Sequence, residues 1–454
     1  MKELDLTQGS VPKVLLQFAV PFLIANVLQA LYGGADLFVV GQYDDSASVA
    51  AVAIGSQVMQ TITGIILGIT TGTTVLIAIA TGAKDNRKVA FTIGSSVWLF
   101  SITGVVLTLV MVLFHSRIAE LMHTPVEAMV DTKNYILVCS LGILFIVGYN
   151  VVCGILRGLG DSKTPLYFVG LACVINIVLD FILGGYFHWG ATGAAIATVS
   201  AQGVSFGIAL WFLYRHGFHF DFSRKDIRLN RNLSKKILVL GAPIALQDAL
   251  INVSFLIITV IVNQMGVIAS ASLGVVEKII VFAMLPPMAI SSAVATMTAQ
   301  NYGAGLIKRM NKCLASGIGI ALVFGVSVCV YSQFLPETLT AFFTKDAAVV
   351  AMAADYLRGY SIDCIVVSFV FCINSYFSGQ GNSLFPMIHS LIATFLFRIP
   401  LSYWFSQIDS SSLFIMGFAP PISTVVSLLI CIWYLRYTQR KLYLRGTMMP
   451  AMSN

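Results

Sequence analysis

Charge is what this chain has least of. Asp, Glu, Lys and Arg make up only 10% of its 454 residues and hydrophobic residues 57%, whereas an ordinary soluble domain is about a quarter charged. Such a chain has too little polar surface to face water all round, and it reads as an all-α membrane protein. The eight cysteines form no CxxC and no paired extracellular spacing, so neither a disulfide framework nor a zinc site is implied. Histidine is also scarce. Four of the six, His115, His123, His188 and His389, fall near span ends, and His216 and His219 make only a weak HxxH in a basic connection. That is too little for a membrane-embedded metalloenzyme, and no metal site or cofactor is expected. Gly-Lys-Ser/Thr is missing, which excludes a phosphate loop. If substrates move uphill, an ion gradient has to drive them. No small-residue cleavage site follows the first apolar run, so the first helix is expected to stay.

What is present is a series of long apolar segments. Windows of about 19 residues, matched to a hydrocarbon core near 30 Å, give twelve of them between residues 14 and 436, including 14–40, 132–156, 165–186 and 191–214. Alternate connections are basic: "KDNRK" (84–88), Arg157 with Lys163, seven Lys/Arg between Arg215 and Lys236, "KRMNK" (308–312), and Arg436, Arg440, Lys441 and Arg445. The others hold only Arg117, Lys133 and Lys345. The positive-inside rule then puts both termini in the cytosol. The net charge of +7 is mostly this bias.

The connection "RHGFHFDFSRKDIRLNRNLSKK" (215–236) divides the spans six and six. The halves repeat at an offset of about 221 residues. "LLQFAVPF" is echoed by "ILVLGAPI", and "GLGDSKTP" (158–165) by "GQGNSLFP" (379–386). The sequence therefore predicts two pseudo-symmetric six-helix lobes, 1–222 and 223–454, with a substrate site between them. "GLGDSKTP" itself reads as a turn between helices.

Ionisable residues inside spans cost about 3 kcal/mol on insertion scales and are functional hypotheses by default. At 1.5 Å per residue, Asp36 in the first span, Asp180 in the fifth and Thr198 in the sixth reach similar depths. Asn176 lies one turn from Asp180 on the same face. At the repeat offset the second half carries Ile258 in place of Asp36, and Leu401 or Ser402 in place of Asp180. The symmetry breaks where the carboxylates are. The second half has its own charges, Asp248, Glu277, Lys278, Asp363 and Arg398; Lys278 and Arg398 either neutralise two of those acids as structural ion pairs or leave them to line the cavity. Five acids against two bases favour cationic cargo.

These residues resemble the multidrug and toxic compound extrusion (MATE) family across essentially the whole chain. The likeness rests on the two six-span lobes, "ADLFVVGQ" (35–42) in the first helix and "LRGLGDSKTPLY" (156–167) after the fourth. More narrowly the chain looks like the DinF-type and archaeal branch. That resemblance implies cation coupling at Asp36, Asn176, Asp180 and Thr198, with Pro21 as the helix-1 bending proline and Gln29 lining the same lobe. Asn150, Asp248, Glu277, Asp363 and Arg398 are further cavity candidates. The other bacterial branch uses a Glu in the seventh helix; after "LGAP" this chain has Ile251 at about that place. The implied activity is a monomeric antiporter in the cell membrane that exports amphipathic, mostly cationic compounds. Two acids can share a proton, but Asp, Asn and Thr oxygens also suit sodium, so the coupling ion is H+ or Na+. A flippase for a lipid-linked or other specific metabolite is the rival within the superfamily, and it would favour a cationic groove instead.

Overall fold

The computed structural model describes residues 4–408 and 412–447, and every regular element among them is helical. In chain order the α-helices are α1 (Val11–Tyr43), α2 (Ser46–Gly82), α3 (Asn86–Leu121), α4 (Met129–Leu141), α5 (Ile143–Leu159), α6 (Lys163–Asp180), α7 (Gly190–His216), α8 (Arg231–Asn263), α9 (Val267–Gly303), α10 (Ile307–Phe334), the short α11 (Pro336–Thr340), α12 (Ala347–Gly379), α13 (Leu384–Ile392), α14 (Ile399–Ile408) and α15 (Ala419–Thr447). Two π-helical stretches, Phe181–Tyr186 and Ala393–Arg398, continue α6 and join α13 to α14.

Among the described residues eleven helices are long and apolar enough to cross a membrane, and a bent pair supplies a twelfth span. That pair is a departure from the single span expected over 132–156. The helix starts at Met129 and turns by 48° between α4 and α5. Gly142 sits at the bend, and a Cβ there would strike the Val199 side chain, so only glycine lets α7 pass this close.

The chain groups into two compact units: Met1–Ala249 with Ser292–Cys313 and Gly379–Gly381, and Leu250–Ser291 with Leu314–Ser378 and Asn382–Asn454. The 222/223 division follows the sequence repeat, whereas this grouping follows contact.

Within the first unit, glycine brings backbones together. A Cβ on Gly154 or Gly158 of α5 would run into Thr70 or Ile77 of α2. The close approach lets Thr74 Oγ donate to the Gly154 carbonyl at 3.0 Å. This small-xxx-small spacing suits apolar surroundings, where helices associate by fit rather than by exclusion of water.

"GLGDSKTP" is the turn that the sequence predicts. Gly160 closes α5 in the left-handed conformation (φ 98°), and the Asp161 carboxylate accepts from the Lys163 and Thr164 amides at 3.0 Å each to start α6. In the repeat, Gly381 takes the same conformation (φ 85°) and Asn382 stands where Asp161 does, accepting from the Phe385 amide at 3.4 Å.

Candidate functional site

Four of the residues singled out in the sequence meet inside the first unit. Asp36 comes from α1, Asn176 and Asp180 from successive turns of α6, and Thr198 from α7. Asp36, Asn176 and Asp180 are 4%, 1% and 2% exposed. Thr198 Oγ donates to Asp36 Oδ2 at 3.1 Å, and Asn176 Nδ2 donates to Thr198 Oγ at 3.4 Å. The Asp36 and Asp180 side chains lie in direct contact.

The donors run out before the acceptors do. Asp36 Oδ1, Asn176 Oδ1 and both oxygens of Asp180 are buried and receive no hydrogen bond. Two carboxylates in contact repel unless a proton or a cation sits between them. Among the described residues no arginine or lysine approaches this cluster. Arg157 does come inward, half-buried in the last turn of α5, but its guanidinium stacks on the Phe22 ring at 5.2 Å.

Asp180 ends the α-helical part of α6, and the π-helical stretch Phe181–Tyr186 follows at once. A π turn loosens the regular hydrogen-bond ladder and recurs at functional positions. It is a local feature that residue composition does not reveal.

A second tier of polar residues lies one turn away. Gln202 Nε2, four residues after Thr198, donates to the hydroxyl of Tyr32, four residues before Asp36, at 3.4 Å. Sequence reasoning passed over both; helical spacing from Thr198 and Asp36 was the available signal. Tyr32, Asp36, Thr198 and Gln202 border a cavity of about 160 Å3, together with Gln29, which is exposed, and the buried Asn150. Asn150 Nδ2 spends a hydrogen on the Ile146 carbonyl at 2.7 Å. Asn176 and Asp180 lie outside the lining. With drug-sized sites at roughly 300–1,000 Å3, this cavity suits an ion or a few waters rather than the cargo.

Pro21 is buried inside α1, which runs unbroken through it. Asp248 is exposed on α8 and does not join the acid cluster.

The second unit holds the other predicted charges. Asp363 on α12 is 5% exposed and in side-chain contact with Thr424. Arg398, at the end of its π-helical stretch, lies over the Phe255 ring at 4.4 Å and within electrostatic reach of both Asp363 and the half-buried Glu277. The structural ion pairs weighed for Lys278 and Arg398 are not made. Among the described residues the ion pairs are Lys133–Glu120, Arg358–Glu337 and Arg358–Asp355. Arg398 compensates charge at a distance while its planar face is taken by an aromatic ring.

Known proteins share this fold and its repeat. The MatE family model matches twice, at residues 21–182 and 243–404, so each copy opens at a proline inside a helix and closes beyond the repeat-equivalent of Asp180. The chain is 29% identical over 407 residues to the probable multidrug resistance protein YpnP of Bacillus subtilis, covering 89% of this chain and 91% of that one. It is 26% identical over 380 residues to the multidrug export protein MepA of Staphylococcus aureus, covering 82% of each. A crystal structure of MATE in complex with MaL6 superposes with a TM-score of 0.91 over 97% of this chain and 99% of that one, at 23% identity. Two matched repeats, the multi-span helical fold and a carboxylate cluster buried among apolar helices place the chain in the MatE family of multidrug efflux transporters, multi-pass membrane proteins.

Proposed function

We propose that the protein is a secondary antiporter that exports amphipathic, mostly cationic compounds in exchange for protons held at Asp36 and Asp180. It acts as a monomer in the cell membrane with both termini in the cytosol, the orientation that the basic connections favour. One observation carries the reading: two buried carboxyls touch, Thr198 and Asn176 hydrogen-bond beside them, and among the described residues no arginine or lysine lies near enough to neutralise them. A proton between them relieves the repulsion, and its loss restores a negative charge that attracts a cation.

Exchange then follows from charge alone. Deprotonated, the cluster draws a cationic compound into the protein. Protonation from outside removes that attraction and the cargo leaves. Pro21, which lacks one backbone hydrogen bond, offers α1 a place to bend as the charge changes. The names of the bacterial relatives support drug export, and the chemistry is translocation without a covalent step.

A second reading has its own support. The four unpartnered oxygens of Asp36, Asn176 and Asp180 are hard ligands of the kind that sodium takes, so sodium is the alternative driving ion. Vesicles containing purified protein decide. Accumulation of a fluorescent cation such as ethidium should follow an imposed pH gradient and be indifferent to a sodium gradient. Accumulation driven by sodium alone would transfer the role to sodium, and accumulation under neither would remove antiport.

A further inference from the structure

Outside the acid cluster the first unit carries a second, larger cavity. Its volume is about 820 Å3, and its walls include Ile93, Val97 and Val105 of α3, Val151 of α5, and Phe206 and Leu213 of α7. From Ile93 to Val105 the wall extends about 18 Å along the helix, close to the roughly 15 Å depth of one bilayer leaflet. The cavity reaches the end of the unit where α3 begins and α7 stops, which is the end that carries the basic connections.

The connection after α7 lines the cavity at that end. "GFHFDF" (217–222) places Phe218, Phe220 and Phe222 at alternate positions of an irregular stretch that bends at His219 and Phe220. Phe218 stacks on Phe220 with ring centroids 5.1 Å apart and meets Phe222 edge-on at 5.3 Å. All three line the cavity with Asp221 and pack against the apolar core. The strap is pinned to α3 at two points. Trp98 Nε1 donates to the Ile227 carbonyl at 3.0 Å, and the Asp226 carbonyl sits where a Cβ on Gly94 would go. Three aromatic rings in an otherwise charged connection, held by a glycine contact and an indole hydrogen bond, make a built wall.

Charge gathers beside the lining at this end, where Arg228 follows the lining residue Ile227. The guanidiniums of Arg87 and Arg228 lie over the same Phe91 ring, at 5.6 and 5.1 Å, and Lys225 is exposed on the strap. Asp226 answers them in part. The Ser223 amide and hydroxyl donate to its carboxylate and, with Arg228 and Arg87 nearby, hold it below the usual carboxylate range. Two arginines and a lysine against Asp221 and Asp226 leave this end net positive. Stacked guanidiniums keep their N–H edges free for phosphate oxygens.

We propose that this groove is a binding site for an anionic phospholipid of the cytoplasmic leaflet, one acyl chain between α3, α5 and α7 and its phosphate at Arg87 and Arg228. The orientation proposed above supplies only the name of the leaflet. A lipid is favoured over a soluble ligand because the walls are apolar to leaflet depth while the positive charge is confined to one end, the pattern expected of a molecule with an apolar tail and an anionic head.

Trp98, bonded to the strap, reports on the site. In a protein with Trp189, Trp211, Trp404 and Trp433 changed to Phe, Trp98 fluorescence is followed in phosphatidylcholine vesicles containing either brominated phosphatidylglycerol or brominated phosphatidylcholine. Half-maximal quenching should need at least fivefold less of the phosphatidylglycerol. Changing Arg87→Gln and Arg228→Gln together should bring the two lipids to parity. Ser101→Phe, which sets a ring in the groove from an exposed position, should do the same. Equal quenching in the starting protein would overturn the site. A preference surviving Ser101→Phe would place the lipid on the surface charge and outside the groove. Recovery of fluorescence on adding ethidium would make the groove a cargo site, and that too would overturn the proposal. None of these readings depends on coupled transport, so their failure leaves the antiport proposal untouched.

Discussion

The two halves repeat one helical design and handle buried charge in opposite ways. In the first unit, Asp36 and Asp180 sit together beside a hydroxyl and an amide with no base at hand among the described residues, and four of the cluster's oxygens receive no hydrogen bond. In the second, Asp363 and Glu277 have Arg398 within electrostatic reach, and Arg398 rests on the Phe255 ring. The backbone marks the same contrast, since one π-helical stretch begins just after an acid, Asp180, and the other ends on a base, Arg398. Where a fixed base stands near, the acids are compensated whatever the pH. Where none does, the compensating charge has to come and go, which is what ion coupling requires.

Charge removal in the first unit should have the largest effect. Asp36→Asn should abolish dye accumulation driven by a pH gradient in vesicles, at least tenfold below the unaltered protein at equal insertion, because an amide cannot exchange a proton. Near-normal accumulation would erase the distinction between the units.

Pro21→Ala comes next and separates movement from charge. A proline inside a helix costs about 3 kcal/mol and removes a hydrogen bond. Restoring that bond should straighten α1 and slow turnover several-fold while equilibrium binding of a fluorescent cation in detergent stays unchanged, the signature of a slowed conformational step. Binding lost in proportion to transport would take the bend out of the mechanism.

In the second unit, Arg398→Gln should act on stability. It leaves Asp363 without compensation and Glu277 with Lys278 alone, at a cost of about 1–3 kcal/mol seen as a lowered melting temperature, while the pH dependence of transport keeps its shape. A displaced pH profile would show that this unit also carries the exchanged proton.

Smaller effects follow. Thr198→Ala and Asn176→Ala each remove a hydrogen bond worth about 0.5–1.5 kcal/mol and should weaken coupling without abolishing it, measured as the initial rate of dye uptake. Ser402→Ala, at the repeat-equivalent of Asp180, should change that rate least of all. Severity equal to that of Asp180→Asn would contradict the asymmetry.

The acid cluster was legible in the sequence because charge inside an apolar run is conspicuous and helical spacing converts position into depth. Asp36, Asn176, Asp180 and Thr198 met as that reasoning implied. The turn at "GLGDSKTP" was legible from its glycines and prolines. Other features were not. The bend at Gly142 hides in an apolar run that satisfies a single-span window, and it exists because Val199 of another helix needs the room. Tyr32 and Gln202 are uncharged, so nothing in composition raised them. Asp248 looked equal to the other acids, yet it stands exposed outside the acid cluster, since the number of residues into a span gives depth and not azimuth. The packing of Phe218, Phe220 and Phe222 against the core depends on Gly94 and Trp98, more than a hundred residues away in sequence.

The central claim is that a proton on the Asp36 and Asp180 pair is exchanged for a cation. Direct measurement is proton release on cargo binding: purified protein in weakly buffered detergent solution near neutral pH, titrated with ethidium, with dye binding and solution pH followed together. The unaltered protein should release about one proton per dye bound, and Asp180→Asn should bind dye with almost none released. Equal release from both proteins would contradict the account.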